Sequence, residues 1–241
     1  LDKKATGAEI RKRIESLVTS ATPGDTLVVQ FSGHGSFVPD EDGDEPDGTD
    51  ECICPSDAGR GYITDDELFD LFSARKRGVH VLMISDSCHS GTIAKFAPIR
   101  TPPTILATRG EPAPERKVRF LPPAAFLGRR QVRSLGSRRT MRRASPPGRH
   151  VALTLTGCQD AEYSYDGFFR DRPNGVFTYV ALEALKALPE TATYRQWHAA
   201  IRKKLPSQQY PQSPNLYGSA AMKNRRIFGA PHQVVRKNGR P

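Results

Sequence analysis

Apolar runs that stop abruptly at small polar residues recur along this chain. TLVVQF (26–31) ends at Ser32-Gly33-His34-Gly35, and the run Val81-Leu82-Met83-Ile84 ends at Asp86-Ser87-Cys88-His89-Ser90-Gly91. A third, VALTLTG (151–157), ends at Cys158-Gln159-Asp160. Unbroken apolar runs of this length predict strands buried on both faces of a parallel sheet. Helical patterns lie between them. Thr6-Gly7-Ala8-Glu9 is a capping box, and Ile10, Ile14, Leu17 and Val18 follow at helical spacing. Thr64 to Glu67 is a second capping box, whose helix turns Leu68, Leu71 and Phe72 inward. Pro23-Gly24-Asp25 turns the chain into the first strand, and Gly78 leads into the strand 79–85. Strand, helix, strand with short polar turns is a parallel βαβ unit. Two further helices are predicted. One runs from Gly175 to Leu188 on Phe177, Ala181, Leu185 and Leu188, and the other from Thr193 to Leu205 on Trp197, Ile201 and Leu205, stopped by Pro206.

Between these ordered parts the periodicity dissolves. Pro, Arg, Gly and Ser dominate from Pro98 to His150, which reads as a disordered linker. The expected organisation is a first structured segment (1–97), the linker (98–150), a second segment completing the same sheet (151–230) and a basic tail (231–241). The net charge of +10 belongs almost wholly to the linker: residues 100–150 hold 13 Lys/Arg against 2 Asp/Glu, leaving the remainder near neutral. No base-reading motif or aromatic platform accompanies that charge, so nucleic acid is not the expected partner. At 241 residues the chain can bury a sound core. No apolar run approaches a membrane span. The four cysteines (Cys52, Cys54, Cys88, Cys158) match neither a disulfide framework nor a zinc spacing, so reduced thiols, a cytoplasmic setting and a monomer are expected. The chain opens on Leu1 in a helix leading straight into a strand, and a piece upstream is expected.

The chemistry gathers at the strand ends. Acyl transfer from a peptide needs a nucleophile, a proton carrier and donors for the developing oxyanion. Cys88 is the candidate nucleophile, in a small-residue turn that lets its own N–H face the crevice. His34 is the candidate base, flanked by Gly33 and Gly35. These glycines leave room for a substrate backbone, and the Gly35 N–H is a candidate second oxyanion donor. His89, adjacent to Cys88, is the rival base, but neighbouring side chains point apart. A thiol sealed in the hydrocarbon interior would oppose the reading. Alone, each residue is more often a packed thiol or an ordinary histidine; together, past the ends of two strands of one sheet, they indicate a site.

SGHG and DSCHSG, with His34 and Cys88 54 residues apart, resemble the His and Cys motifs of the caspase clan, where the separation is about 50. The surrounding residues are similar to metacaspases and their bacterial relatives, including the Asp-x-Cys-Ile run (50–53) and Ile-Thr-Asp-Asp (63–66). The resemblance covers residues 5–97 strongly and 151–190 more loosely. It implies a three-layer α/β/α caspase-like fold with a mostly parallel sheet, of which the family's first strand is not seen in this chain. It further implies a Cys88/His34 dyad and cleavage after Arg or Lys. Asp86 lies two residues before Cys88 on the same strand face, where a carboxylate can take paired hydrogen bonds from a guanidinium; the resemblance assigns it, with Ser32, to the pocket for the residue before the cut. A carboxylate that merely orients a turn is the plainer reading.

The acidic stretch 40–51 is not an EF-hand, because Glu45 stands where that loop needs Gly. The resemblance points instead to a calcium site of Asp50, Asp65 and Asp66, with a fourth position that here is Lys95. An ammonium cannot ligate a cation, so weakened or absent calcium dependence is expected and no cofactor is required. An enzyme with this specificity would find many targets in its own linker, and autocleavage is expected among Arg129, Arg130, Arg133, Arg138, Arg139, Arg142 and Arg143. The contrasting reading is a catalytically inert caspase-like binding or scaffolding module.

Overall fold

The Thr6 hydroxyl accepts the Glu9 N–H at 3.3 Å and opens helix α1 (Gly7–Ser20) where the capping box places it. The computed structural model describes residues 2–41, 48–88, 117–135, 150–159 and 162–229. After α1 come strands β1 (Thr26–Ser32), β2 (Gly35–Pro39) and β3 (Thr49–Ile53), helix α2 (Ala58–Gly61) and strand β4 (Ile63–Thr64). Helix α3 (Asp65–Ser73), capped by the Thr64 hydroxyl, leads to β5 (His80–Asp86). Then follow β6 (Lys117–Val118), helix α4 (Arg129–Ser134), β7 (Leu153–Thr156), β8 (Tyr165–Phe169) and β9 (Arg172–Gly175). Helices α5 (Val176–Lys186) and α6 (Tyr194–Arg202), strand β10 (Asn215–Tyr217) and helix α7 (Ala220–Lys223) complete the described chain.

The three apolar runs of the sequence become neighbours in one sheet of order β1-β5-β7-β10, in which β1, β5 and β7 are parallel and β10 is antiparallel. Side chains of β5 alternate between two cores, as a two-residue repeat requires. Leu82 joins Leu153, Leu155 and Leu216 beneath α5 and α6, against Phe177, Ala181, Trp197 and Ile201. Val81 and Met83 face the other way, to Ile14 and Val18 of α1 and Phe72 of α3. This is the three-layer arrangement expected. Two small antiparallel sheets, β2-β3-β4 and β6-β8-β9, flank the C-terminal edge of the parallel strands.

One expectation needs correction. Within the stretch read as a disordered linker, residues 117–135 carry β6 and α4 and dock on the body. Their apolar residues are too sparse for a periodic signal, yet most of the larger ones find partners on the body. Val118 packs on the cluster of Tyr165, Val176, Leu205 and Tyr210, while Leu121, Phe126, Leu127 and Val132 pack with Val38, Cys52, Cys54 and Ala58. Tertiary burial supplies what local pattern did not.

Trp197 is the largest aromatic group under the sheet and is buried, its indole N–H donating to the Ala181 carbonyl at 2.8 Å. Trp197→Ala removes that packing and the indole hydrogen bond. A loss of about 3–5 kcal/mol is expected, read as a lowered urea midpoint at unchanged slope.

Candidate active site

The pairing of β1 with β5 sets Ser32 opposite Asp86 in parallel register. His34 and Cys88 each lie two residues past that pair, so the two leave the sheet side by side at its C-terminal edge, where open α/β sheets place ligands. The approach is close. A Cβ on Gly35 would lie 1.9 Å from the Cys88 carbonyl oxygen, so no other residue fits there without moving one of the two backbones. The His34 side chain is exposed, and its carbonyl accepts the Cys54 N–H at 2.9 Å.

Cys88 is fully buried, at 0 % exposure. What covers it is not the hydrocarbon core. Its sulfur accepts the Ser164 N–H at 2.7 Å and lies 3.4 Å from the Ser164 carbonyl oxygen. Cys158 is a further neighbour; its hydrogen bond with Cys88 and then its burial raise its pKa, so that it remains a protonated thiol. Burial, and next the neighbouring Cys88, also raise the pKa of Tyr163. The thiol thus sits among polar groups beneath a strand of protein that crosses in front of it.

That strand carries Arg119, a residue the sequence reading did not single out. The Arg119 carbonyl oxygen accepts from two amides, Gly35 N–H at 3.0 Å and Cys88 N–H at 3.2 Å. These are the two donors expected to face an oxyanion. The Arg119 N–H donates to the Ser164 carbonyl at 3.0 Å. Its guanidinium runs into a pocket between the sheet edge and β8. There Nη1 donates to the Ser32 hydroxyl at 2.6 Å and to the Asp86 carbonyl at 2.7 Å. Nε and Nη2 both donate to Asp166 Oδ1, at 2.8 and 2.7 Å.

The pocket differs from the expected one in which carboxylate makes the paired bonds. Asp86 is fully buried, and its carboxylate lies 3.6 Å from Arg119 Nη1, an ion pair without a direct hydrogen bond. Its oxygens are taken up by the Ser164 hydroxyl at 2.8 Å, the Thr178 N–H at 3.0 Å and the Thr178 hydroxyl at 2.5 Å. Those bonds fix the Asp86 carboxyl group at the pocket floor. Asp166, two residues beyond Ser164, takes the paired role. Nothing in the sequence marked Asp166, because it reaches the pocket through the β6-β8-β9 sheet and not through the parallel core. Gly175 at the start of α5 leaves room for both partners: a Cβ there would lie 2.0 Å from Asp86 Oδ2 and 2.8 Å from the Arg119 guanidinium carbon.

The proposed calcium ligands fare differently. Asp65 and Asp66 are exposed in the first turn of α3, and Asp50 is buried on β3. Among the described residues no three His, Cys, Asp or Glu side chains gather as a cation would require. No chemistry is derived through a calcium ion. Lys95, the rival base His89 and, of the arginines expected to be cut, Arg138, Arg139, Arg142 and Arg143 lie outside the described residues. Arg129, Arg130 and Arg133 lie in helix α4, whose backbone is not extended as a cleft requires. No helix among those residues is long and apolar enough to cross a membrane.

The fold and the strand-end pair together define a caspase-like protein, and comparison with known proteins narrows this. Residues 1–97 match the family model described as Metacaspase, peptidase C14 domain. Metacaspase-1B of Aspergillus fumigatus is 31% identical over 235 residues, covering 88% of this chain and 55% of that protein. Metacaspase-1 of Cryptococcus neoformans is 29% identical, with 92% and 52% covered. The chain spans about half the length of these curated relatives. Among solved structures, protein GSU0716 from Geobacter sulfurreducens aligns with TM-score 0.65 at 32% identity over 94% of this chain and 79% of that one. Caspase-1 from Spodoptera frugiperda, at 15% identity and TM-score 0.53, shares the fold. Residues 1–97 therefore match a metacaspase-type peptidase C14 domain, and most of the chain aligns with curated metacaspases at about 30% identity.

The crowding at Gly175 is testable by itself. In Gly175→Ala the added methyl must displace Asp86 or the guanidinium, and overpacking of this kind costs about 1–3 kcal/mol. A correspondingly lower denaturant midpoint is expected.

Proposed function

We propose that this chain is a cysteine endopeptidase that cuts peptide bonds after Arg or Lys. One observation carries the reading: an arginine of the chain lies with its carbonyl on the Gly35 and Cys88 amides and its guanidinium between Asp166, Ser32 and Asp86. Cys88 attacks the carbonyl carbon as thiolate. His34 takes the thiol proton and returns it to the leaving amine. The amides of Gly35 and Cys88 hold the oxyanion as charge develops, which is where preorganised donors lower a barrier most. The acyl group then rests on sulfur as a thioester until water, deprotonated by His34, releases the carboxylate and restores the thiol.

The pocket chemistry sets the order of substrates. Arginine uses its fork on Asp166 and still has Nη1 for Ser32 and the Asp86 carbonyl; a lysine ammonium cannot span these acceptors at once. An acidic residue would bring a third carboxylate to two already there, and is rejected. With fluorogenic peptides, Arg is expected to exceed Lys by about tenfold in kcat/KM and Asp to give no turnover. Losing the charge-assisted pair in Asp166→Asn, about 1.5–3 kcal/mol, lowers kcat/KM on Arg peptides by roughly 10–100-fold. Cys88→Ala and His34→Ala abolish turnover. Hydrolysis that survives in Cys88→Ala refutes the assignment. The burial of Cys88 supports a second reading, an inert binding module; it gains if neither the intact nor the nicked protein turns over any basic peptide.

Calcium is proposed to matter little, from Lys95 at the fourth place. Peptidase activity is expected to persist in chelator, within about twofold of the untreated rate. Abolition by chelator with recovery in millimolar calcium overturns this.

A further inference from the structure

We propose that the groove at the end of the sheet opposite Cys88 binds small molecules carrying a diphosphate group, held by Arg225, His80, Arg75, Lys76 and Arg77. Strand β5 runs from His80 to Asp86, so this groove and the Cys88 crevice lie at its two ends, about 20 Å apart. Residues 74–79, between α3 and β5, form one wall. Helix α7 and Arg225 just beyond it form the other, and the groove measures about 560 Å³. Arg75, Lys76, Arg77 and Arg225 bring four positive charges to it, and none of the described residues lining it is Asp or Glu.

Arg225 is what a plain surface patch would not contain. Its Nη1 meets His80 Nε2. A guanidinium only donates, so Nε2 is the acceptor and His80 is the neutral tautomer with its proton on Nδ1. Burial first, and then Arg225 and Arg75, push the His80 pKa down, in keeping with an uncharged ring. The imidazole therefore does not neutralise Arg225, and the other terminal nitrogen, Nη2, is buried without a hydrogen-bond partner among the described residues. Asp25 accepts the His80 N–H on its carbonyl at 2.9 Å, but its carboxylate takes the Thr22 N–H and hydroxyl, at 2.7 and 2.9 Å. A desolvated guanidinium with an unused donor is costly until an anion meets it. Arg225, His80 and the flexible Met222 line both the groove and a cavity of about 20 Å³ beside it, which is room for one oxygen atom. The guanidinium fork fits phosphate oxygens, and four cations favour a ligand of several negative charges over a single carboxylate. Arg75 is steadied by its own bond, Nη1 donating to the Phe72 carbonyl at 3.0 Å, while Lys76 and Arg77 are exposed and reach a second phosphate.

Calorimetric titration of the full chain at about 0.15 M ionic strength tests this. Inorganic diphosphate is expected to bind one-to-one, about tenfold tighter than inorganic phosphate. A nucleoside diphosphate that binds tighter still identifies a nucleotide as the source of the group; equal or weaker binding identifies the free anion. Arg225→Gln is expected to weaken diphosphate binding by about 10–100-fold, the loss of a charge-assisted pair, and to abolish the rise in Tm that diphosphate gives the wild type. The double variant Arg75→Gln, Arg77→Gln changes only the loop and is expected to weaken binding about tenfold; it decides alone if circular dichroism shows Arg225→Gln unfolded. Cys88→Ala is expected to bind as wild type does, which keeps the result independent of the peptidase reading. Undiminished binding by the groove variants overturns the proposal, as does sulfate binding as tightly as diphosphate at matched ionic strength. Neither heat nor stabilisation with any of these anions overturns it as well, and leaves Arg225 to a buried water.

Discussion

The parallel pairing of β1 with β5 is the constraint on which the rest depends. In-register pairing of Ser32 with Asp86 puts His34, Gly35 and Cys88 past the ends of adjacent strands. Neighbouring strands are about 4.8 Å apart, so the two emerging backbones nearly touch, and Gly35 makes that contact possible. Two amides then point at one carbonyl oxygen. A register slip by a single residue would turn Val81, Leu82 and Met83 to the wrong cores, so the same alternation that buries the sheet also aligns the site. Stability and site geometry have one cause.

The pocket illustrates how buried charge is managed. A carboxylate sealed from water is costly unless its oxygens are bonded. Asp86 meets that condition with two hydroxyls and an amide, and with a guanidinium nearby. Three of the contributing residues, Ser164, Thr178 and Gly175, come from the second structured segment, and Arg119 comes from the stretch between the two. The pocket is therefore a product of the whole described chain, although its floor lies at the end of one strand. The partners of Asp86 also explain why Asp166, and not Asp86, is free to take the arginine's paired hydrogen bonds.

The three strands and the helices over 176–186 and 194–202 were legible because burial on one face or two imposes a period on the sequence, and the Thr6 and Thr64 N-caps because their hydroxyls precede those runs. The strand-end placement of His34, Gly35 and Cys88 followed from the same periods. Arg119, Asp166 and Ser164 carried no such mark. Each lies in a short segment whose partners are far along the chain: Arg119 is 33 residues from Asp86 and 47 from Asp166. The order of 117–135 was likewise hidden, since Val118, Leu121, Phe126 and Leu127 are spaced to fit clusters on the body and no regular element of their own.

By itself, then, the order of residues determined the sheet strands, the helices between them and the pair of reactive groups at the strand ends, because those depend on local repeats and on how parallel strands must connect. Only the tertiary structure decided what stands in front of the thiol, which carboxylate grips the arginine and which bond lies across the cleft. Those depend on contacts between segments far apart in the chain, and such contacts leave no period to read.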